Sequence, residues 1–166
     1  MPVAPEIAPE IATAAAIYRQ NDGLLAKSWA GLTPEEWLRQ PGQSSNHLLW
    51  IVGHLILVRS VMLGILGTSW SRPWLPLFGR GAKLVEPHEY PSPEEITTAW
   101  QDISVAFASA LEQAPAAVLS APPAEKTPTF DGKNSGLFGF LAFHESYHVG
   151  QAAYLRTWLG HDQIAG

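Results

Sequence analysis

Ile7, Ile11, Ala14, Tyr18, Leu25 and Trp29 fall three, four or seven positions apart, which aligns them as one stripe on a helix. The stripe predicts a helix from about Glu6 to Ala30, with Pro9 near its start and Gly31 as its stop. In "LTPEEW" Thr33 caps a short turn with Pro34 in its first position. A second helix starts after Ser44, Ser45 or Asn46, all good capping residues, runs to about Leu66 and stops at Gly67. It is apolar nearly all round, which places it in a core. The third opens at "PSPEE", with Ser92 as cap, Pro93 as first helical residue, and Glu94 and Glu95 at the positive end of the dipole. It continues to about Gln113, before Pro115. The fourth runs from about Gly136 to Leu159, capped by Asn134 or Ser135 and stopped by Gly160.

No segment alternates with period two, so strands are not expected. Four helices, two of them strongly apolar, predict an all-α fold, an antiparallel four-helix bundle formed as one domain over residues 1–166. Two long connections remain. Residues 68–91 carry Trp70, Trp74, Phe78, His88 and Tyr90 among Pro and Gly; residues 115–134 carry Pro122, Pro123 and Pro128. Connections this long in a compact domain are functional or disordered. The aromatic one reads as a lid or substrate wall over a site, or as a hydrophobic plug or dimer contact.

Composition narrows the function. Lys and Arg total 10 against 15 Asp and Glu, a formal charge of -5, which argues against a nucleic-acid footprint. Cysteine is absent. Disulfides, Cys-based zinc sites and a Cys nucleophile are therefore excluded, and any thiol must arrive with a ligand. The start "MPVAPEIAPEIA" lacks the basic region and apolar run of a signal peptide, so a cytoplasmic location is expected. The stretch Leu48 to Leu66 is apolar enough to suggest a membrane span, yet it holds His54 and Arg59 well inside. A buried bundle helix is the better reading.

"FHESYHVGQ" contains His144-Glu145-Ser146-Tyr147-His148, a match to H-E-x-x-H. Residues four apart lie about 40° apart around a helix, so both imidazoles can reach one ion. A zincin protease needs a further ligand downstream. Gln151 and Tyr154 stand where the extended motif requires Gly and His, and no sheet is expected. A third imidazole lies upstream at His54, in "WIVGHLILV". A histidine among Leu, Ile and Val needs a partner: either a carbonyl in the core or a shared ion with His144 and His148. Gly53 beside it permits close helix approach. His47, seven residues earlier on nearly the same face, reads as pocket-lining, with a further ligand, a pocket base or a surface residue as the alternatives.

His54 in "GHL", with "HESYHVGQAAYLRTWLG" downstream, resembles the DinB/YfiT-like superfamily of metalloenzymes, and the resemblance follows the whole chain in helix order. It implies a four-helix bundle with a divalent metal held by His54, His144 and His148, and a homodimer. Characterised branches of that superfamily include thiol S-transferases using bacillithiol or mycothiol, a mycothiol-dependent maleylpyruvate isomerase and a glutathione transferase-like group. A small-molecule substrate and a low-molecular-weight thiol are thus implied as partners.

Three neutral imidazoles leave an ion with an open position, the ligand count of a catalytic site, and Zn, Ni or Fe(II) accepts such donors. Around them, Glu145 turns about 100° from His144 and reads as an acceptor that orients a ligating imidazole, or as a structural group, rather than a catalytic base. Tyr147 packs or donates into the cleft. Gln151, one turn beyond His148, bonds a ligand or closes the base of the site. Arg156 makes an ion pair with an acid of the first or third helix. Trp70 and Trp74 supply the wall, and Arg80 and Lys83 positive charge for an anionic substrate. Three functions follow: a metal-dependent thiol transferase or hydrolase, a non-enzymatic binding module with a structural metal, and a zincin-like protease.

Overall fold

The computed structural model describes residues 7–124 and 126–165, and all regular structure within them is helical. Four long helices form the bundle: α1 (Ala12–Trp29), α2 (Leu48–Ile65), α3 (Pro93–Glu112) and, after the short α4 (Ala116–Ser120), α5 (Asn134–Trp158). The expected start of the first helix at Glu6 lies outside the described residues; a 3-10 turn at Pro9–Ile11 leads into α1. Gly31, Gly67 and Gly160 end α1, α2 and α5 with φ of 76°, 85° and 93°, which side-chain-bearing residues rarely adopt.

Two starts are built differently from their sequence pattern. Neither Ser44, Ser45 nor Asn46 caps α2; His47 does, its Nδ1 accepting from the Trp50 amide at 3.0 Å. Asp131, upstream of Asn134 and Ser135, organises the start of α5. Its carboxylate accepts from the Lys133 and Gly136 amides at 2.8 and 3.1 Å and from the Ser135 hydroxyl at 2.9 Å. The Ser92 cap of α3 is as expected, closed reciprocally by Glu95 with both bonds at 3.1 Å. The single turn of α4 has no periodic signal of its own. It is held from outside, by burial of Leu119 and by Asn134, whose side chain donates to the Val118 carbonyl at 2.9 Å.

The helices pack in a ring, α1 against α5, α5 against α2, α2 against α3, and α3 against α1. Their senses follow from paired contacts. Tyr18 meets Phe138 and Ala30 meets Arg156, so α1 and α5 run parallel. His47 packs on Tyr90 and Arg59 bonds Ser104, so α2 and α3 also run parallel. The sides α1/α3 and α2/α5 are antiparallel. Parallel neighbours need a crossover. The long aromatic segment between α2 and α3 is that crossover, returning the chain along the bundle. Its turn Leu75–Phe78 packs on α2 with Leu75 and Phe78 buried.

Among the described helices α2 alone is long and apolar enough to cross a membrane, and 67% of it is buried against its own neighbours. Its apolarity is that of a bundle centre. Leu55, Ile56, Met62 and Leu63 on α2 are fully buried with Ile103 and Phe138 of the neighbouring helices.

Candidate metal centre

The antiparallel contact of α2 and α5 brings three imidazoles together. His54 lies in the second turn of α2, and His144 and His148 lie one turn apart on α5. His144 Nε2 is 3.4 Å from His54 Nε2 and 3.2 Å from His148 Nε2. The three ligand atoms all lie within 4.8 Å of one another.

The outer nitrogens fix the tautomers. His54 Nδ1–H donates to the Phe78 carbonyl at 2.8 Å, and His148 Nδ1–H donates to the Gln151 amide oxygen at 2.7 Å. Both Nε2 atoms therefore present bare lone pairs to the centre. Trp50 stacks on the His54 ring with centroids 4.9 Å apart and holds its plane. His144 Nδ1 is buried with no hydrogen-bond partner. Its one proton can satisfy a single neighbour, so at least one inward lone pair stays unmatched. A cation matches all three. Imidazole nitrogens at about 2.0–2.1 Å from a tetrahedral ion stand about 3.3 Å apart, which fits the observed 3.2 and 3.4 Å. Outer hydrogen bonds of this kind are also what orient metal-ligating histidines.

Burial sets the charge state. Desolvation holds His54, His144 and His148 below the ordinary histidine pKa, His148 at about 4, and proximity of the rings lowers His144 and His148 further. The three are neutral at pH 7, the state that ligates.

The sequence model of the DinB superfamily matches residues 17–152. The chain belongs to the DinB superfamily. The matched span runs from α1 past His148 and includes all three imidazoles. No curated protein matches the chain.

In this DinB-superfamily chain the residues around the imidazoles divide sharply. Gln151 contacts His148 as just described, and its amide NH2 reaches the Tyr147 hydroxyl at 3.4 Å. Tyr147 is exposed and packs edge-on against His148. Glu145 turns the other way. It is 1% exposed, and its carboxylate accepts two hydrogen bonds from Arg59 at 2.8 Å and one from Asn21 at 3.2 Å. It orients no imidazole; it is a structural anion between α5, α2 and α1. Arg156 makes no ion pair with helix acids. Its donors go to the carbonyls of Ala30 and Asp162 at 2.6 and 2.8 Å, tying the C-terminal ends of α1 and α5.

The crossover touches the centre through Phe78, not through its tryptophans. Trp70 stacks beneath Arg72, which pairs with Asp102 of α3 at 2.7 Å, and Trp74 lines a cleft with Ser92, Glu94 and Glu95. Neither borders the two cavities beside the imidazoles. Gly53 admits the Phe78 ring rather than a helix: a Cβ there would lie well inside van der Waals contact distance of three ring carbons. That vacancy seats the carbonyl that fixes His54. A backbone carbonyl has no sequence signature, and the pair Gly53-His54 was the available sign of it.

Two cavities flank the imidazoles. One, of about 510 Å³, is lined by Tyr147, Gln151 and the loop Ser44, Ser45 and Asn46. The other, of about 450 Å³, reaches His54 itself.

His47 lines neither cavity. Its ring is buried edge-on to Tyr90, and its Nδ1 must stay unprotonated to cap α2. Desolvation lowers its pKa to about 4. Between the unfolded value near 6.5 and about 4 the unfolded chain binds a proton that the folded chain refuses, so stability falls as pH falls through that window. His47 alone accounts for a loss on the order of 3 kcal/mol by pH 4. His47→Asn keeps a capping oxygen without the titration, and urea unfolding from pH 7 to 4.5 should show a flatter decline than the wild type. Identical declines would remove His47 as a source.

Proposed function

We propose that this chain is a divalent-metal-dependent enzyme acting on a small molecule, with the ion held by Nε2 of His54, His144 and His148. The observation that carries the reading is the convergence of three imidazoles, with the outer nitrogens of His54 and His148 committed to Phe78 and Gln151. A bound Zn, Ni or Fe(II) ion would act as a Lewis acid, lowering the pKa of a bound water or thiol. The protein's part is to keep the imidazoles neutral, fix their tautomers and shape the approach. The cavity that reaches His54 supports an enzyme over a purely structural site, because closed sites have no access.

Two reactions suit this arrangement: transfer to a low-molecular-weight thiol, and hydrolysis. Thiol transfer is the first of the two to test, because the cavity that reaches His54 leaves room for a small molecule beside the centre. The test is elemental analysis of protein purified without added metal, followed by a transfer screen with several thiols. About one equivalent of metal and thiol-dependent turnover that a chelator abolishes are expected; less than a tenth of an equivalent, with no uptake on titration, would refute the reading.

A homodimer in the cytoplasm belongs to the same proposal. Phe143, Tyr147, Tyr154 and Trp158 are exposed and lie within about 60° on α5, an apolar stripe suited to a second copy. Sedimentation should give a dimer that Tyr154→Glu converts to monomer; a monomer at every concentration rejects it.

A further inference from the structure

The cavity that reaches His54 is a trough between two helix faces. On α2, Leu57, Val58, Val61 and Ile65 continue the face that carries His54. On α5, Leu137, Phe140 and Leu141 continue the face that carries His144. Because α2 and α5 are antiparallel, both apolar stripes run the same way from the imidazoles. The distance from His54 to Ile65 is eleven residues of helix, about 16 Å. Pro123 and Pro128 of the segment before α5 border the trough. Its volume of about 450 Å³ lies within the range of small-molecule sites, roughly 300–1,000 Å³.

Among the described residues one charged side chain lines this cavity, the exposed Arg80. It follows Phe78 by two residues, and the Phe78 carbonyl is bonded to His54, so Arg80 enters from the imidazole end. It has no ion-pair or hydrogen-bond partner among the described residues, although the chain carries a formal charge of -5. An unpartnered guanidinium beside an otherwise apolar wall selects a planar anion, which it can bind through two parallel N–H donors. The exposed Val61 shows that the trough presents apolar surface to solvent, surface that a ligand's hydrocarbon would cover.

We propose that this trough binds a small amphiphilic carboxylate, with its anionic group at Arg80 and its apolar body along Val58, Val61, Phe140 and Leu141. The assignment names the substrate class of the site proposed above and rests on that reading in taking the imidazole end as the reacting end. Binding itself requires no metal. Lys83 is not part of the lining, and among the described residues Arg80 supplies the charge.

The test uses the full chain, both as purified and after chelation, so that its outcome is separable from metal content. Decanoate is titrated calorimetrically, with decan-1-ol as the neutral probe of equal length. One saturable decanoate site is expected in both preparations. Arg80→Gln should weaken decanoate about tenfold, the loss of one charge-assisted contact, and leave decan-1-ol within about twofold. Val61→Asp, on an exposed position, should weaken decanoate by at least as much. Absence of saturable decanoate binding to the wild type would overturn the proposal. So would unchanged decanoate affinity in Arg80→Gln, or an equal loss for decan-1-ol in that variant.

Discussion

A His148→Ala protein should lose its metal, falling below about a tenth of an equivalent after dialysis while the wild type holds about one. His148, like His54, is engaged at both ring nitrogens. Its Nδ1–H is spent on Gln151, and its Nε2 stands 3.2 Å from that of His144. Removing it leaves two nitrogens, one of them on a ring with no outer partner to orient it. Gln151→Ala should act through the same ring more mildly, weakening affinity about 10- to 100-fold. Thermal unfolding supplies a second readout. Added zinc should raise the wild-type Tm, because an ion that binds only the folded state stabilises by mass action, and should leave His148→Ala unmoved. Equal metal content in wild type and variant would remove His148 from the ligand set.

Glu145→Ala should destabilise the fold by about 3–5 kcal/mol. Arg59 is 1% exposed and presses its guanidinium on Trp100 at 4.1 Å from the ring centroid, with Phe107 and Tyr18 around it. Its charge is neutralised by Glu145 and by Asp22, each at 2.8 Å, and Ser104 takes a further hydrogen bond. The Asp22 side chain is 36% exposed, so water screens it, and Glu145 is the partner that shares the burial. Deleting Glu145 leaves a buried cation with one screened counter-charge. Arg59→Met combined with Glu145→Leu removes both charges and should recover most of the loss. Denaturant unfolding of the two single variants and the double variant measures the coupling. A cost under about 1 kcal/mol for Glu145→Ala would show the pair to be dispensable.

The two predictions concern neighbouring residues of one helical turn, and they show what the sequence could reveal. The imidazoles were legible because helical spacing places His144 and His148 on one face, and because an isolated histidine in apolar α2 demands a partner. The fold class was legible from four periodic or apolar segments bounded by caps and glycines. Glu145 was legible as an orienting acceptor or a structural group, but its partner was not, because Arg59 stands 86 residues away on α2. His47 was misread as pocket-lining because serine and asparagine are the ordinary caps and three of them stand just before it. Trp70 and Trp74 stayed open between wall and plug because aromatic content says that a segment packs, without saying on what, and the structure packs both against the core. The parallel senses of α2/α3 and α1/α5 left one trace, the length of the crossover.

That ring order also dictates when in synthesis the bundle closes. α1 lies against α5, the first long helix against the last, and α5 also brings His144, His148 and Glu145 to partners made long before. Until α5 leaves the ribosome, Arg59 has no Glu145, His54 has no facing imidazoles, and the apolar inner face of α1 lies open. Contacts between distant parts of a chain slow folding, and exposed apolar surface invites association. The nascent chain therefore waits on its final helix for the ion pair that steadies its core and for two of the three nitrogens at its centre.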